Sequence, residues 1–507
     1  MAAILKRICP CLNCLWDKCC GDQQPKQDFD TELGPDSDDT NTVDTEQRYV
    51  LNKKPQNEDA IYTAMWRFNA RTEEELTFEE GDVFKVYTFS GEWWQAGKLD
   101  PNGKVIGKGF VPYNYLVRGE SVEAQLWYFG NLSRSEAITL LLQSGNANGT
   151  FLVRISEKEK VGFVLSVRVD TNVKHFKVLQ RHAGLFYLND KHTFSTLLDV
   201  INFYKQHNLA PGVKLTNACT KQEPVLKDLS HSTVDAWERP KEEFTLQSKL
   251  GAGNFGEVFE GLWKQQVKVA IKVLRKETMN FKDFQAETQI MKKLSHKHLI
   301  SLYAVCTSGD TFYIVTELME KGSLLQYLRS KEGSTLSLPH LLDMASQVAY
   351  GMSYLESKNF IHRDLAARNV LVGENGICKV ADFGLARVIK DDFYFSDEKR
   401  IPYKWSAPEA ISHGRFSVKS DVWSFGILLY EIVTHGQVPY PGMSNHVFME
   451  VEKGYRMPCP DNCPQAVYAI MMSCWEKKAD ARPEFKQLVW KLDNCTNYEE
   501  QNSQEWG

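Results

Sequence analysis

The sequence contains no long apolar run and has little net charge. A membrane-spanning helix needs about 18 consecutive apolar residues, and residues 425–433 are too few, so we expect them to form a buried helix. Lys and Arg number 60 against 65 Asp and Glu, which leaves a net charge of −5. Because binding nucleic acid through general basicity needs a concentrated positive face, this composition argues against nucleic acid as a partner.

Glycine is missing from position 2, which is Ala2. N-myristoylation needs glycine there, so the protein is predicted not to be myristoylated. Hydrophobic residues make up 43% and charged residues 25% of the chain, which is ordinary for soluble globular proteins. A length of 507 residues predicts about three or four domains.

Cysteine is unevenly distributed. Of the twelve cysteines, five lie within the first twenty residues, and these are Cys9, Cys11, Cys14, Cys19 and Cys20. Apolar and basic residues lie between them, a composition that suits an S-acylated membrane-surface segment. A zinc knuckle is disfavoured because histidine is absent from this segment and the spacings do not repeat. An unmodified segment is the third interpretation.

Acylation decides the expected localisation. We expect a cytoplasmic protein that is peripheral at the inner face of the plasma membrane if two or more of these cysteines carry lipid. Residues 22–59 are polar with few large apolar side chains, and they predict a disordered tether.

Residues 362–369 read His-Arg-Asp-Leu-Ala-Ala-Arg-Asn. Phosphoryl transfer needs a carboxylate aimed at the acceptor hydroxyl and an amide oxygen on the metal, and Asp364 and Asn369 have these groups at the protein-kinase spacing. The insert between them ends in Arg368. It resembles the tyrosine-kinase form of this loop and not the serine/threonine form.

The partners of this loop appear in order along the chain. A glycine-rich run at residues 251–258 would close backbone N–H groups over phosphates. Lys272 follows in a strand-like run and would hold the α and β phosphates. Glu287, fifteen residues later, lies in a helical pattern and is its expected partner. Asp382 opens an Asp-Phe-Gly motif and supplies a second metal ligand.

Two further motif sets precede the catalytic one. Residues 64–115 alternate short strand-like pieces with turns and contain Trp-Trp at 93–94, and they resemble an SH3 domain. Residues 149–156 are an apolar strand that carries Arg154, and a buried arginine needs an anion. With Trp-Tyr-Phe-Gly at 127–130, this region resembles an SH2 domain. A structural ion pair is the alternative role for Arg154.

The three motif sets occur in the order found in Src-related non-receptor tyrosine kinases. The chain resembles that family over about residues 60–500, and it is most similar to the Brk/Frk-like branch. The resemblance implies a multidomain fold with an all-β SH3 barrel, an α+β SH2 domain and an α+β two-lobed protein kinase domain. The implied ranges are a leader and tether at 1–59, SH3 at 60–119, SH2 at 127–218, a linker at 219–243, the kinase domain at 244–495 and a regulatory tail at 496–507.

The resemblance also implies the site residues and the cofactors, which are ATP and Mg²⁺, with Mn²⁺ as the alternative metal. The catalytic and metal-binding positions are Asp364, Arg368, Lys272, Glu287, Asn369 and Asp382. The ATP pocket is formed by Leu250, Gly251, Gly253, Gly256, Val258, Ala270, Lys272, Thr316, Glu317 and Met319. Phosphotyrosine is bound by Arg134, Arg154, Ser156, His175 and Lys177. Polyproline is bound by Trp66, Glu75, Trp93, Pro112 and Tyr115, with Glu75 receiving a ligand Arg or Lys.

Tyr394 and Tyr498 are the expected phosphorylation sites. A phosphate on Tyr394, in the activation segment, would pair with Arg363 and Arg387. A phosphate on Tyr498 would give the SH2 domain a tethered internal ligand, although an exposed tyrosine without a role is the alternative.

The scaffold residues are expected to act from outside the site. Asp421 is expected to anchor the catalytic-loop backbone, and Glu409 to pair with Arg482. The linker has few prolines and predicts a weak SH3 ligand that depends on Pro224 and nearby apolar residues. Trp237 is expected to pack near the helix of Glu287.

The implied partners are phosphotyrosine proteins through SH2, proline-rich proteins through SH3, and protein tyrosine substrates. Two other functions remain open at this point. The kinase fold could be inert and serve as an adaptor, which an ATP-turnover assay would detect. It could also be a serine/threonine or dual-specificity kinase, which phosphoamino-acid analysis would separate from a tyrosine kinase.

Overall fold

A computed structural model describes most of the chain between residues 61 and 495. The described ranges are 61–89, 91–119, 121–155, 162–181, 184–189, 191–234, 236–253, 256–275, 281–383, 387–388, 394–395, 402–443 and 446–495. They all belong to one compact unit, residues 58–507. The cysteine-rich leader, Ser156 and Tyr498 lie outside the described residues.

The first sheet has the strand order β4-β3-β2-β1-β5. Its strands are β1 Ile61–Ala64, β2 Val83–Val86, β3 Trp93–Leu99, β4 Val105–Pro112 and β5 Leu116–Arg118. Neighbouring strands pair antiparallel. Alternate residues of a strand face opposite sides, so one side of the sheet buries Phe84, Ala96 and Val111 against Phe78.

The second sheet has the order β10-β9-β8-β7-β6. Its strands are β6 Tyr128–Asn131, β7 Phe151–Ile155, β8 Phe163–Val169, β9 Asn172–Gln180 and β10 Phe186–Tyr187, with helices α1 Arg134–Leu141 and α2 Leu197–Gln206. Helix α1 begins after Ser133, whose hydroxyl accepts from the Glu136 amide at 3.1 Å while the Glu136 carboxylate accepts from the Ser133 amide at 2.8 Å. This reciprocal pair satisfies two backbone donors and fixes the helix start.

The third sheet has the order β11-β12-β13-β15-β14. Its strands are β11 Phe244–Gly253, β12 Gly256–Trp263, β13 Val267–Arg275, β14 Leu302–Cys306 and β15 Thr311–Glu317, and helix α3 spans Phe281–Lys293. The hairpin from β11 to β12 pairs Gly253 with Gly256. A Cβ at Gly256 would lie 2.1 Å from the Val273 carbonyl oxygen, so only glycine fits at this close approach of two strands.

The remainder of the chain is mainly helical. The helices are α4 Leu324–Arg329, α5 Leu338–Ser357, α6 Pro408–His413, α7 Val418–Val433, α8 Val447–Glu452, α9 Gln465–Cys474 and α10 Phe485–Cys495. Short strand pairs join β16 Phe360–Ile361 to β19 Arg387–Val388, β17 Val370–Val372 to β18 Cys378–Val380, and β20 Tyr394–Phe395 to β21 Arg415–Phe416. Helix α7 is buried almost throughout, so polar side chains on it can reach the loops that it supports.

The expected fold class is confirmed: an all-β region, an α+β region and a two-lobed α+β region follow one another along the chain. Helix α7 contains the apolar run 425–433 and is a buried helix, as the sequence predicted. Within the part of the chain that the structure describes, no helix is long and apolar enough to span a membrane.

Candidate active site and interdomain contacts

A lysine and a glutamate meet between β13 and α3. Lys272 Nζ donates to Glu287 Oε1 at 2.9 Å and lies 3.6 Å from Asp382 Oδ1. Burial alone would lower the pKa of Lys272, but the carboxylates of Glu287 and Asp382 outweigh it, and the pKa is raised. The lysine is therefore cationic and held in place for an anionic ligand.

Strand register places the expected nucleotide-pocket residues on one face of the third sheet. Val258 pairs with Lys272, and Ala270 pairs with Thr316. Directly opposed residues share a face, and residues two apart on one strand also share it. Val258, Lys272, Ala270 and Thr316 therefore lie on the same face of the sheet. Leu250, on the neighbouring strand β11, is exposed.

Glu317 has a different role from the other pocket positions. Its Oε2 accepts from Lys379 Nζ at 2.6 Å and its Oε1 accepts from the Ser301 amide at 2.8 Å, and both charged side chains are buried. This side chain therefore braces the segment between the lobes, and a nucleotide could meet Glu317 only through its backbone. Met319, two residues later, is also buried and lies beside Gly373.

Asp421 holds the catalytic loop from helix α7. Its two carboxylate oxygens accept from the backbone amides of His362 and Arg363 at 2.7 and 2.9 Å. Arg363 has φ of 71°, a left-handed conformation that is uncommon outside glycine and needs support from its surroundings. The sequence-based expectation that Asp421 anchors this loop is confirmed.

Asp364 is partly buried between two side chains of its own loop. Asn369 Nδ2 donates to Asp364 Oδ2 at 2.7 Å, and Arg368 Nη2 donates to Asp364 Oδ1. Burial raises the pKa of Asp364, and Arg368, His362 and Asn369 offset that rise only in part. A carboxylate with raised proton affinity suits a general base.

Asn369 and Asp382 supply oxygen atoms suited to a hard divalent cation. The Ala381 amide donates to the Asn369 carbonyl at 2.9 Å, which brings the residue before Asp382 onto the catalytic loop. Asp382 has φ of 61°, and Phe383 is buried against the His362 ring at 5.6 Å. Carboxylate and amide oxygens are the ligands that Mg²⁺ prefers, so the donor set fits the expected metal.

The activation-segment tyrosine is described at its backbone. Tyr394 lies in β20 and pairs with Phe416 of β21. The buried Arg363 guanidinium lies 4.5 Å from the centre of the Phe416 ring. The strand partner of Tyr394, Phe416, therefore contacts Arg363, which is one of the two arginines expected to bind the Tyr394 phosphate.

Basic side chains converge on one face of the second sheet. Arg154 pairs with Val164, which pairs with Lys177, and Ser166 pairs with His175. His175 Nδ1 lies 2.8 Å from the Ser166 hydroxyl. Burial, together with Arg134 and Arg154, holds the pKa of His175 well below its usual value. The pocket combines a neutral histidine with two nearby guanidinium groups, an arrangement that suits a dianion.

The groove of the first sheet is occupied by the linker. Tyr115 Oη donates to Glu223 Oε1 at 2.6 Å and to the Pro224 carbonyl at 3.3 Å. Leu226 belongs to the core of the first sheet and is 9% exposed, whereas Val225 is 62% exposed. Of the other expected groove residues, Trp66 packs against this core, and Trp93 and Pro112 are buried.

Glu75 holds backbone in this structure. Its Oε2 accepts from the Arg71 amide and its Oε1 from the His231 amide, both at 2.8 Å. The ring of His231 stacks on Phe110 with centroids 3.3 Å apart and planes 8° apart. Arg71 donates to the Leu229 carbonyl at 2.9 Å. The sequence analysis missed Arg71 and His231 because each works only when linker and groove meet.

The same linker also contacts the lobe that contains the third sheet. Tyr303 Oη donates to the Leu226 carbonyl at 2.9 Å, and Leu229 is buried in the core around β14 and β15. The Trp237 carbonyl accepts from the Val305 amide at 2.8 Å, and its ring packs on the core cluster that includes residues of α3. The expected packing of Trp237 near the helix of Glu287 stays a prediction, because its backbone contact is to Val305 of β14.

Helix α1 directly contacts helix α5 and the segment between α3 and β14. Lys297 Nζ donates to Glu136 Oε1 at 2.9 Å, and Thr139 Oγ1 donates to Asp343 Oδ2 at 3.0 Å. Burial alone would raise the pKa of Glu136, but Lys297 and the Ser133 amide outweigh it, and the pKa is lowered. No motif marks these residues, since the capping role of Glu136 already explains its presence in the sequence.

Comparisons with known proteins agree with this architecture. Residues 62–117 match the variant SH3 domain, residues 127–204 the SH2 domain, and residues 244–492 the protein tyrosine and serine/threonine kinase family. Protein-tyrosine kinase 6 from Mus musculus is 52% identical over 440 residues, which cover 86% of this chain and 97% of the relative. The Homo sapiens protein of the same name is 53% identical over 440 residues, with the same two shares.

Proposed function

This chain belongs to the Src-related non-receptor protein tyrosine kinases, and from that membership we propose how its own residues carry out and restrain phosphoryl transfer. Its SH3, SH2 and kinase domains follow the family order. As a protein kinase it uses ATP and a divalent metal. We propose the roles of the individual residues, the use of Mg²⁺, the regulation and the localisation.

Lys272, fixed by Glu287, binds the α and β phosphates of ATP. Asn369 and Asp382 would hold Mg²⁺, which would neutralise charge on the phosphates. Asp364 orients the substrate tyrosine and accepts its hydroxyl proton as the tyrosine oxygen attacks the γ-phosphorus, and the bond from the γ-phosphorus to the bridging oxygen breaks so that ADP leaves. The observation that carries this proposal is the position of Asp364, whose carboxylate is hydrogen-bonded by both Asn369 and Arg368.

The test replaces the base without changing its size. Asp364→Asn in the full chain should lower kcat for a tyrosine peptide by about 10²- to 10⁴-fold, with ATP binding retained. Asp480→Asn, an exposed aspartate in the same lobe, is the matched control and should leave kcat unchanged. Equal rates for Asp364→Asn and wild type would contradict the assignment. Phosphoamino-acid analysis of the product should show phosphotyrosine, and substitution of Mn²⁺ for Mg²⁺ tests the metal.

The linker and α1 contacts support an intramolecular restraint on the kinase. One segment lies in the SH3 groove through Leu226 and is bonded to the kinase lobe through Tyr303. Phosphorylated Tyr498 would occupy the SH2 pocket and stabilise this arrangement, because a tethered ligand has a high effective concentration. Phosphorylated Tyr394 would act in the opposite direction by ordering the activation segment around Arg363 and Arg387.

External ligands compete for the same two sites. Phosphotyrosine proteins would bind at Arg134, Arg154 and His175, and proline-rich proteins would displace the linker from Trp93 and Tyr115. The residues around Cys9 to Cys20 support peripheral membrane contact through acylation. Intact mass before and after hydroxylamine tests this: a loss of acyl mass is expected, and an unchanged mass would remove the membrane proposal.

A further inference from the structure

Trp405 links the segment before helix α6 to the catalytic loop. It lies just before helix α6, and its indole Nε1 donates to Glu431 Oε2 at 2.9 Å. The same Glu431 oxygen accepts from the Ala367 amide at 3.0 Å. The Trp405 carbonyl accepts from the Ser424 hydroxyl at 2.7 Å. Glu431 and Ser424 are both on the buried helix α7, so the ring and the backbone of Trp405 are fixed from one rigid element.

Arg368 stacks on this fixed ring. Its guanidinium carbon lies 4.4 Å from the centre of the Trp405 ring. A guanidinium attracted to an aromatic face keeps its N–H edges available for hydrogen bonds. One of those edges donates to Asp364 Oδ1. The chain of contacts therefore runs from α7 through Glu431, Trp405 and Arg368 to the base.

This arrangement limits the freedom of the arginine before substrate arrives. A free arginine side chain carries about 2 kcal/mol of rotamer entropy, and a misplaced catalytic group lowers the rate even when binding is intact. Glu431 accepts hydrogen bonds from the Ala367 amide, which precedes Arg368 in the loop, and from the Trp405 indole, on which the Arg368 guanidinium stacks. The backbone and the guanidinium of Arg368 are therefore both held in position by contacts that depend on Glu431.

We propose that Trp405 is a positioning residue for phosphoryl transfer, which acts through Arg368 to hold the base Asp364 in register with the acceptor tyrosine. Trp405 itself touches neither phosphate nor phenol in this proposal. It deepens the tyrosine kinase activity and requires that Asp364 and Arg368 have the roles proposed above.

The experiment is a double-mutant cycle in the full chain. Trp405→Leu removes the aromatic face, and Arg368→Ala removes the group that it positions. Trp405→Leu should lower kcat for a tyrosine peptide by about 2- to 30-fold, the range of an exposed to a desolvated cation–π contact, with KM for ATP unchanged. In the Arg368→Ala background the same change should have no further effect on kcat, because the group through which it acts is gone.

Two conservative variants distinguish positioning from folding. Trp405→Phe keeps an aromatic face without the bond to Glu431, and its kcat should lie between those of Trp405→Leu and wild type. Glu431→Gln keeps the size of the side chain that holds the ring and removes its charge, and any loss of kcat should occur only when Arg368 is present. If Trp405→Leu does not fold, the Glu431→Gln cycle with Arg368→Ala decides alone. Equal losses of kcat in the wild-type and Arg368→Ala backgrounds would overturn the proposal, and so would losses of kcat that are proportional to the drop in melting temperature. Full activity of Asp364→Asn would refute the catalytic role proposed for Asp364, whereas a failed Trp405 cycle with an inactive Asp364→Asn would refute only the positioning role of Trp405. The two results are therefore distinguishable.

Discussion

Replacing Leu226 with alanine should open the interdomain restraint, while the same truncation one residue earlier should not. Leu226 is 9% exposed in the SH3 groove, and Val225 is 62% exposed. Burying a leucine side chain contributes about 1.5–3 kcal/mol, so Leu226→Ala should change the ratio of closed to open molecules by about 10- to 150-fold. Val225→Ala should change it by less than about 0.5 kcal/mol, as is usual for exposed sites.

The hydrogen bond from Tyr303 to the Leu226 carbonyl survives this substitution because its acceptor is backbone. The change therefore removes the side chain from the groove without removing the other contact of the same residue. Linker length, charge and phosphorylation sites are also unaltered, so the pair of variants isolates apolar burial in the groove.

The primary assay is the affinity of the unphosphorylated full chain for a proline-rich peptide. The linker competes for the groove, so Leu226→Ala should bind the peptide more tightly in proportion to the open fraction. Its activity on a tyrosine peptide should rise, and Val225→Ala should match wild type in both assays. If both variants bind peptide alike, the groove contact does not restrain the protein and the reasoning is refuted.

Two further predictions concern buried charge. Glu409→Gln should lower the free energy of unfolding of the kinase domain by about 3–5 kcal/mol. Arg482, which is hydrogen-bonded to Glu409 at 2.6 and 2.9 Å, would then remain buried without its anion. Thermal melting measures this loss, and a melting temperature equal to that of wild type would contradict the prediction. His298 is 1% exposed, and burial, together with the neighbouring Lys297, lowers its pKa to about 3. Between that pH and about 6.5 the His298 imidazole is neutral in the folded protein but binds a proton in the unfolded chain. Its contribution to stability should therefore be complete above about pH 6.5 and fall by about 1.4 kcal/mol per pH unit below it. Denaturant unfolding at several pH values should show this slope in wild type and a weaker one in His298→Gln, and identical slopes would show that His298 is not the titrating group.

The contacts among the proposed catalytic residues could be predicted from the sequence because their geometry is local. Asp364 and Asn369 lie five residues apart on one loop, and the hydrogen bond between them needs no distant element. Lys272 and Glu287 are joined across a short connection from a strand to the next helix. In each case the spacing along the chain nearly determines the spacing in space.

Glu317 shows where such reasoning fails. Its position between the lobes could be inferred, but the buried pair of its carboxylate with Lys379 depends on two segments 62 residues apart in the chain. A charged residue beside an apolar strand normally faces solvent. Only the tertiary fold, which brings Lys379 of β18 to Glu317 at the end of β15, determines that this one is buried.

The domain contacts were not predictable for a further physical reason. Glu136 caps its own helix, so its place in the sequence is explained before its bond to Lys297 is considered. The pair of Lys272 with Glu287 is formed in the same structure in which the linker fills the SH3 groove. The proposed restraint therefore does not require that this pair breaks, and we expect it to act on the activation segment or on access of the substrate. It follows that Leu226→Ala should raise activity without strengthening ATP binding, so that KM for ATP stays constant while peptide turnover increases.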